Sequence, residues 1–183
     1  MPSNIEIKAR VSATDRLFSL AEAVSDVPPI RIEQRDTYFA CPTGRLKLRR
    51  TGAKPAELIF YSRPNFCSPK RSDYTICEIA DPENLLAVLA AALGIQATVI
   101  KTRMLFMVGQ TRIHLDSVEG LGSFVELEVV LHDSQSAEEG DAIARKLMDL
   151  LEIKERDLIG GSYVDLVPNT YTERQRSDGR SAD

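Results

Sequence analysis

The chain has 183 residues, close to the size of one ordinary domain, and its 43% hydrophobic and 27% charged residues are typical of a globular protein. Its 23 basic and 27 acidic residues give a net charge of −4, which argues against a protein that is basic all over and coats nucleic acid. Three cysteines (Cys41, Cys67 and Cys77) are too few and too far apart for a disulfide scaffold or a Cys-x-x-Cys metal site.

Hydrophobic periodicity and capping signals divide the chain into strands and helices. In chain order they predict a strand over residues 3–11, a helix over 14–24, strands over 31–39, 45–50, 57–63 and 73–80, a helix over 82–93, strands over 97–108, 110–117 and 122–132, and a helix that opens at Ser136. Asp81 before Pro82 is a typical helix start, and Glu139 has capping-box spacing from Ser136. A short further turn is predicted within 157–166.

The remaining segments predict loops and a tail. Residues 64–72 form a polar loop in which Lys70 and Arg71 are expected to be solvated. We expect one domain over residues 1–167 and a disordered tail over 168–183. The longest apolar run has nine residues, about half of the roughly 20 that a membrane span needs, and the start lacks the features of a secretory signal. A cytoplasmic protein with no membrane partner is therefore expected.

The predicted strands are unusual because apolar residues alternate with charged residues along them. In the first strand Ile5 and Ile7 share one face, whereas Glu6, Lys8 and Arg10 share the other. Later strands repeat this pattern, so that the polar face of the whole sheet carries nine basic and six acidic residues. Beyond the first strand these residues are Arg45, Lys47, Arg49, Glu57, Arg63, Glu78, Lys101, Arg103, Arg112, Asp116, Glu126 and Glu128.

Two architectures produce such a pattern. In a one-layer antiparallel sheet the charged face would lie in water and the apolar face under the helices. In a closed barrel of eight strands the charged face would line the interior. The barrel is favoured because Arg45, Lys47 and Arg49 on one strand would repel one another unless an anion lay between them. Such an interior suits a polyanion with a divalent metal, because Arg and Lys bind phosphate oxygens and carboxylates hold Mg²⁺.

An ordered set of motifs over residues 4–166 resembles the CYTH family, also called triphosphate tunnel metalloenzymes. The motifs are Glu6-Ile7-Lys8, Gly44-Arg45-Leu46-Lys47-Leu48-Arg49, Glu57-Leu58-Ile59, Lys101-Thr102-Arg103, Thr111-Arg112-Ile113-His114-Leu115-Asp116 and Phe124-Val125-Glu126-Leu127-Glu128. Within the family the chain is most similar to the class IV adenylyl cyclase branch. The resemblance implies an α+β fold: a closed eight-stranded antiparallel β-barrel, or tunnel, with a charged interior and helices packed outside.

The resemblance also implies a role for each group of charged residues. Mg²⁺ or Mn²⁺ would be held by Glu6, Glu126 and Glu128. The phosphates of a small-molecule triphosphate such as ATP would be bound by Lys8, Arg49, Lys101 and Arg103, with support from Arg10, Arg45, Lys47, Arg63 and Arg112. The candidates for catalysis are Lys8, Asp116 and Tyr61.

Two positions depart from the family pattern. Asn4 stands where the family signature has its first acidic residue. Family enzymes usually carry a lysine on the strand 57–63, and in this sequence Tyr61 or its neighbour occupies that position. Arg63 could replace the charge of that lysine but not act as a base, and Tyr61 could act as a base only with a strongly lowered pKa.

Four functions therefore remain open. The branch resemblance favours a cyclase that converts ATP to cyclic AMP and pyrophosphate, and the alternatives are a triphosphatase and a protein that binds a phosphorylated ligand without reaction. The fourth is binding of nucleic acid through the basic strands, for instance an RNA 5′-triphosphate, although a tunnel would exclude duplex nucleic acid. The chain is expected to be a monomer or a homodimer. His114 is expected to be a wall residue, because two histidines are too few for a histidine-based zinc site.

Overall fold

The computed structural model describes residues 3–52 and 54–167, so the predicted tail over 168–183 lies outside the described residues. The strands are β1 (Ser3–Arg10), β2 (Ile30–Phe39), β3 (Arg45–Thr51), β4 (Ala56–Ser62), β5 (Lys70–Ile79), β6 (Ile95–Val108), β7 (Thr111–Val118) and β8 (Gly122–Val130). The helices are α1 (Thr14–Val24), α2 (Pro82–Leu93), α3 (Ala137–Leu150) and α4 (Tyr163–Leu166), with a 3₁₀ turn at Glu155–Asp157.

The eight strands of the described residues form one closed barrel in the order β1-β5-β4-β3-β2-β6-β7-β8. All neighbours are antiparallel, and β8 returns to pair with β1 from Asn4↔Val130 to Arg10↔Phe124. The predicted α+β fold with a closed, charged eight-stranded barrel is confirmed. No helix among the described residues is long and apolar enough to cross a membrane.

One strand begins earlier than the sequence indicates. β5 starts at Lys70, within the segment predicted as a polar loop. Its first residues pair with β1, from Ser3↔Asp73 to Glu6↔Lys70, and this pairing completes the barrel. The prediction of a solvated Lys70 is wrong, since this residue is 4% exposed, whereas Arg71 points outward and is exposed as expected. The polar composition of this segment indicated a solvated loop, but polar residues of the strands in this barrel face its interior.

The apolar faces of the strands pack under the helices. α1 contributes Leu17 and Ala21, and α3 contributes Leu147 and Met148, to a core over β1, β6, β7 and β8. The strand residues in that core are Ile7, Ala9, Phe106, Ile113, Val125 and Leu127. α2 covers a second cluster built on Phe39, Leu48 and Ala56. Because the helices bury the outer face, the alternate charged residues must point into the barrel.

The chain after α3 fills one end of the barrel. Leu158 forms a bridge with Ala9, and the amide of Ile159 donates to the carbonyl oxygen of Lys8 at 2.8 Å. These contacts carry the chain across the barrel end, where Tyr163 and Val164 of α4 pack in the interior. Their neighbours there are Tyr38, Ile59, Tyr61, Ala97, Val99, Val118 and Phe124.

The contact between α3 and the barrel depends on a glycine. A Cβ at Gly140 would lie 2.6 Å from Cγ1 of Ile5 and 2.7 Å from Cδ2 of Leu131. We expect Gly140→Ala to lower the free energy of unfolding by about 1–3 kcal/mol, because overpacking outweighs the higher helix propensity of alanine. Urea denaturation followed by circular dichroism measures this. Lys146→Ala, at an exposed position of α3, is the control, and an unfolding midpoint of Gly140→Ala at or above that of the wild type would contradict the close approach.

Candidate functional site

A cavity of about 140 Å³ lies inside the barrel and is lined by the inward side chains of several strands together with Ser162 and Tyr163. Most sequence-predicted site residues line it. They are Glu6, Lys8, Lys47, Arg49, Tyr61, Arg63, Lys101, Arg103, Arg112, Glu126 and Glu128. Arg10, Arg45 and Asp116 are not among the residues that line it.

The cavity has an acidic wall on β7, β8 and β1. The register places His114 opposite Glu126 and Glu126 opposite Lys8, so these three residues form one row across adjacent strands. In the next row Glu128 lies opposite Glu6. Nδ1 of His114 is 3.7 Å from Oε2 of Glu126 and 3.7 Å from Oε1 of Glu128. The structure therefore groups two of the predicted metal ligands with a histidine that the sequence indicated only as a wall residue.

Glu6, the third predicted metal ligand, is paired with a cation. It forms an ion pair with Arg63, whose guanidinium also donates to the carbonyl oxygen of Gly161 at 3.2 Å. Burial raises the pKa of the Glu6 carboxyl and the nearby Glu126 raises it further, while Arg63 opposes both effects. Glu6 lies beside the acidic cluster but is not one of the three groups whose donor atoms converge.

A cationic wall lies on β2, β3 and β6, and the first part of it is organised by Asp36. Lys47 donates to Asp36 at 2.9 Å, and Arg49 makes two bonds to the same carboxylate at 2.8 and 2.9 Å. Burial alone would raise the pKa of Asp36, but Arg49 and Lys47 hold it well below its usual range. The sequence analysis missed Asp36, although its place two residues from Gln34 and Tyr38 puts it on an inward face.

The second part of the cationic wall is organised by Asp116. Arg103 binds this carboxylate twice, at 2.6 Å each, and Lys101 and the hydroxyl of Tyr163 donate to it at 3.1 and 2.9 Å. Arg103 also donates to Glu126 at 2.5 Å and so links the cationic wall to the acidic one. Asp116 is 2% exposed and stands behind the lining residues, where it is bonded to Lys101 and Arg103.

Positive charge exceeds negative charge around the cavity. Among the described residues, the lining cations are Lys8, Lys47, Arg49, Arg63, Lys101, Arg103 and Arg112. The lining anions, with the two aspartates behind them, are Glu6, Asp36, Asp116, Glu126 and Glu128. The cavity therefore has an excess of two positive charges if all these groups are ionised. Burial and the neighbouring Arg103 lower the pKa of Lys101 to about 8, so a further negative charge beside this side chain would favour its charged form. An anionic ligand would supply it.

A third wall, on β4 and β5, is largely apolar. Ile59, Tyr61, Tyr74 and Ile76 line the cavity there, and Ile76 is 48% exposed. The hydroxyl of Tyr61 is bonded to that of Ser162 at 2.8 Å. Burial raises the pKa of Tyr61 well above its ordinary value, so the condition under which Tyr61 could act as a base is not met.

Two predicted phosphate-binding residues lie away from the cavity. Arg10 donates to the carbonyl oxygen of Leu121 at 3.3 Å and lies over the ring of Phe124. Arg45 is bound to Asp165 at 2.6 Å and lines a separate depression at the surface. Both residues share the inward parity of their strands. Arg45 nevertheless lies towards the filled end of the barrel, where Asp165 of α4 is its partner, and Arg10 is held by Leu121 and Phe124 at the start of β8.

Two residues near the filled end of the barrel, Tyr163 and Lys70, make buried contacts that the sequence did not predict. The ring of Tyr163 lies under the ammonium groups of Lys8 and Lys101, whose Nζ atoms are 3.6 and 5.0 Å from its centroid. Lys70 donates to the carbonyl oxygens of Phe66 and Ile159 at 2.8 and 3.5 Å. Tyr163 is in a four-residue helix that is too short for a periodic pattern, so no sequence signal indicated an inward side chain.

The acidic wall fits a divalent cation. The carboxylates of Glu126 and Glu128 and Nδ1 of His114 offer three donor atoms within 4.8 Å of one another. Nδ1 of His114 is buried and has no hydrogen-bond partner among the described residues. Burial and the nearby Arg103 lower the pKa of His114, which favours the neutral imidazole that can act as a ligand.

The closed barrel, with a cationic wall facing a carboxylate cluster, defines a class of proteins whose tunnel takes an anion together with a metal. The chain belongs to the CYTH domain family, whose model matches residues 3–163. A comparison with curated protein sequences found no match.

Solved structures share this fold over most of their length. A protein from Pyrococcus horikoshii OT3 is 23% identical, with a TM-score of 0.80 over 90% of this chain and 99% of its own. A putative adenylate cyclase from Vibrio parahaemolyticus is 18% identical, with a TM-score of 0.71 over 89% of this chain and 96% of its own. A putative adenylyl cyclase from Hippeastrum, described as having a dominant triphosphatase activity, is 16% identical, with a TM-score of 0.60 over 97% and 96% of the two chains.

Proposed function

We propose that this chain binds a nucleoside triphosphate with a divalent metal inside the barrel and converts it to a cyclic nucleotide and pyrophosphate, as a class IV adenylyl cyclase does with ATP. The observation that carries the proposal is the pairing of a cationic wall with a cluster of carboxylates in one cavity. Arginine and lysine neutralise phosphate oxygens, and a carboxylate cluster holds the metal that bridges them.

The charges around the cavity support a metal-bound triphosphate. The excess of two positive charges and one divalent ion together balance the about four negative charges that a nucleoside triphosphate carries near neutral pH. Neither the metal-free triphosphate nor the metal alone would be balanced in this way. Charge compensation matters here because the groups are buried, where an uncompensated charge is costly.

The apolar wall supports an organic triphosphate over an inorganic one. A site for phosphate groups alone would have cations on all sides, whereas β4 and β5 present Ile59, Tyr74 and Ile76 to the cavity. Ile76 is 48% exposed, and a sugar or a base packed on it would bury apolar surface. We assign the phosphates to the cationic wall and the remainder of the ligand to this apolar wall.

In the proposed reaction the ribose 3′-oxygen forms a bond to the α-phosphorus, the bond from that phosphorus to the bridging oxygen breaks, and pyrophosphate and a proton are released. The bound metal would neutralise charge on the phosphate oxygens during this transfer. Lys101 and Arg103, held by Asp116, would neutralise the pyrophosphate as its charge grows. The ribose 3′-hydroxyl is part of the same substrate, so the site supplies its positioning. Its proton passes to solvent water as the new bond forms, because the raised pKa of Tyr61 leaves that side chain unable to accept it.

Hydrolysis and binding without reaction are the alternatives. The same features of Tyr61 that disfavour activation of water favour a protein that binds without turnover. The description of the Hippeastrum protein supports hydrolysis as the other outcome, in which water attacks the terminal phosphorus.

Phosphorus NMR of the purified protein with ATP and Mg²⁺, followed over hours, distinguishes these functions. We expect pyrophosphate and cyclic AMP to appear, and no product to form when EDTA is present. ADP with orthophosphate would replace the cyclase proposal with hydrolysis. Resonances that shift or broaden without products would establish a binding protein, and unchanged spectra would contradict the triphosphate site itself.

A further inference from the structure

We infer that His114 is a direct nitrogen ligand of the metal, so that the site selects a first-row transition ion such as Mn²⁺ over Mg²⁺. The inference rests on the proposed function for the presence of a metal, and it adds the donor set and the choice of ion. Carboxylates alone would form a site of oxygen ligands, which is the preference of Mg²⁺. A neutral imidazole adds a softer donor, which favours transition ions over Mg²⁺.

The geometry brings three donor groups to one point. His114 lies directly opposite Glu126 across β7 and β8, and Glu128 follows Glu126 on the same face of β8. Nδ1 of His114 is 3.7 Å from an oxygen of each carboxylate, too far for a hydrogen bond to either. Two ligand atoms that each lie about 2.1 Å from one ion are about 3 Å apart. A small inward movement of the side chains would therefore give all three groups a common ion.

The burial of His114 and the lack of a hydrogen-bond partner for its Nδ1 among the described residues are independent evidence that this atom binds an ion. His114 is 3% exposed, and its Nδ1 has no hydrogen-bond partner among the described residues. Burying such an atom without a partner is unfavourable, and native proteins rarely leave it unsatisfied. Since the nearest polar groups to Nδ1 are two carboxylates that would share the same ion, a metal satisfies all three groups at once.

The other contacts of the cluster fix Glu126 in place and leave one oxygen of Glu128 directed at His114. Lys8 binds Oε1 of Glu126 at 2.7 Å and Arg103 binds Oε2 at 2.5 Å, so this carboxylate is held firmly in place. Oε2 of Glu128 is 3.4 Å from Arg112, whereas Oε1 is the oxygen that faces His114. Glu128 is 21% exposed and connects the cluster to the open part of the cavity, through which an ion can enter.

The two histidines of the chain allow a sharp test. His132 is exposed in the loop after β8, so His132→Gln removes the other imidazole without touching the cavity. Mn²⁺ is added to this variant with inorganic triphosphate in a nitrogen-free buffer, and pulsed EPR is used to detect the coupling of a directly coordinated imidazole nitrogen. We expect that coupling in His132→Gln. If Mn²⁺ binds but the nitrogen coupling is absent, the inference is overturned and the proposed function is untouched. The same holds if Mg²⁺ binds and ten equivalents of Mn²⁺ do not displace it.

A second variant checks the selectivity. His114→Phe keeps a ring in the wall but has no donor atom, and we expect it to bind Mn²⁺ at least about tenfold more weakly than His132→Gln, with Mg²⁺ affinity changed less. Equal losses for the two ions would overturn the claimed selectivity. If His114→Phe does not fold, the EPR result on His132→Gln decides the matter alone. Failure of the proposed function is recognised separately, since phosphorus NMR of the wild type would then show ADP with orthophosphate, binding without products, or unchanged spectra.

Discussion

Asp116→Asn should lower the free energy of unfolding by about 3–5 kcal/mol, the cost of removing one member of a buried group of charges. The side chains of Asp116, Lys101 and Arg103 are 0%, 2% and 5% exposed. Burial alone would raise the pKa of Asp116, but Arg103 and Lys101 hold it well below its usual range, so the native state contains the carboxylate. Asparagine keeps the shape but leaves both cations without this counter-charge and loses an acceptor for Tyr163.

Chemical denaturation of the metal-free protein measures this loss, with Glu152→Gln as the matched control. Glu152 is paired with Arg16 at the surface, where the two side chains are 45% and 66% exposed, and removing an exposed pair changes stability by about 1 kcal/mol or less. If Asp116→Asn lost no more than the control, the cations of this wall would not depend on Asp116, and its assignment as their organiser would be wrong.

The inward parity of the charged residues could be predicted from the sequence because it is a local property of each strand. Ile7 beside Lys8, or Leu127 beside Glu126, already indicates which residue packs under a helix and which faces the other side. Closure of the barrel follows less directly, from the number of strands and from the repulsion among Arg45, Lys47 and Arg49 that an open sheet would leave unexplained.

The pairing of charges depends on register, which sequence alternation does not specify. A shift of β7 by two residues would preserve every inward face but would separate His114 from Glu126. For the same reason the ion pair of Glu6 with Arg63 could not be anticipated. Tyr163 was missed because a four-residue helix has no period, and its position depends on the path of the chain over β1.

Glu128→Gln is expected to lower the affinity for Mn²⁺ by about 100-fold or more while leaving stability almost unchanged. Glu128 supplies a charged oxygen to the cluster, but its nearest cation, Arg112, lies at 3.4 Å with a side chain that is 41% exposed. Removing a group that only hydrogen-bonds to a metal ligand already costs about 10–100-fold in metal affinity, and Glu128 is itself a proposed ligand. The pair with Arg112 is partly solvated, so its loss should cost about 1 kcal/mol or less.

Glu126→Gln tests whether Glu126, unlike Glu128, contributes to the stability of the protein as well as to metal binding. It should weaken Mn²⁺ binding as strongly as Glu128→Gln, but it should also destabilise the protein, because Lys8 and Arg103 are buried against Glu126 at 2.7 and 2.5 Å. Calorimetric titration with Mn²⁺ and thermal unfolding of both variants test this. Undiminished affinity in Glu128→Gln would remove Glu128 from the metal site. Equal stability of the two variants would contradict the interpretation that Glu126 joins the acidic wall to the cationic one, because of these two carboxylates it is Glu126 that is bonded to both Lys8 of β1 and Arg103 of β6.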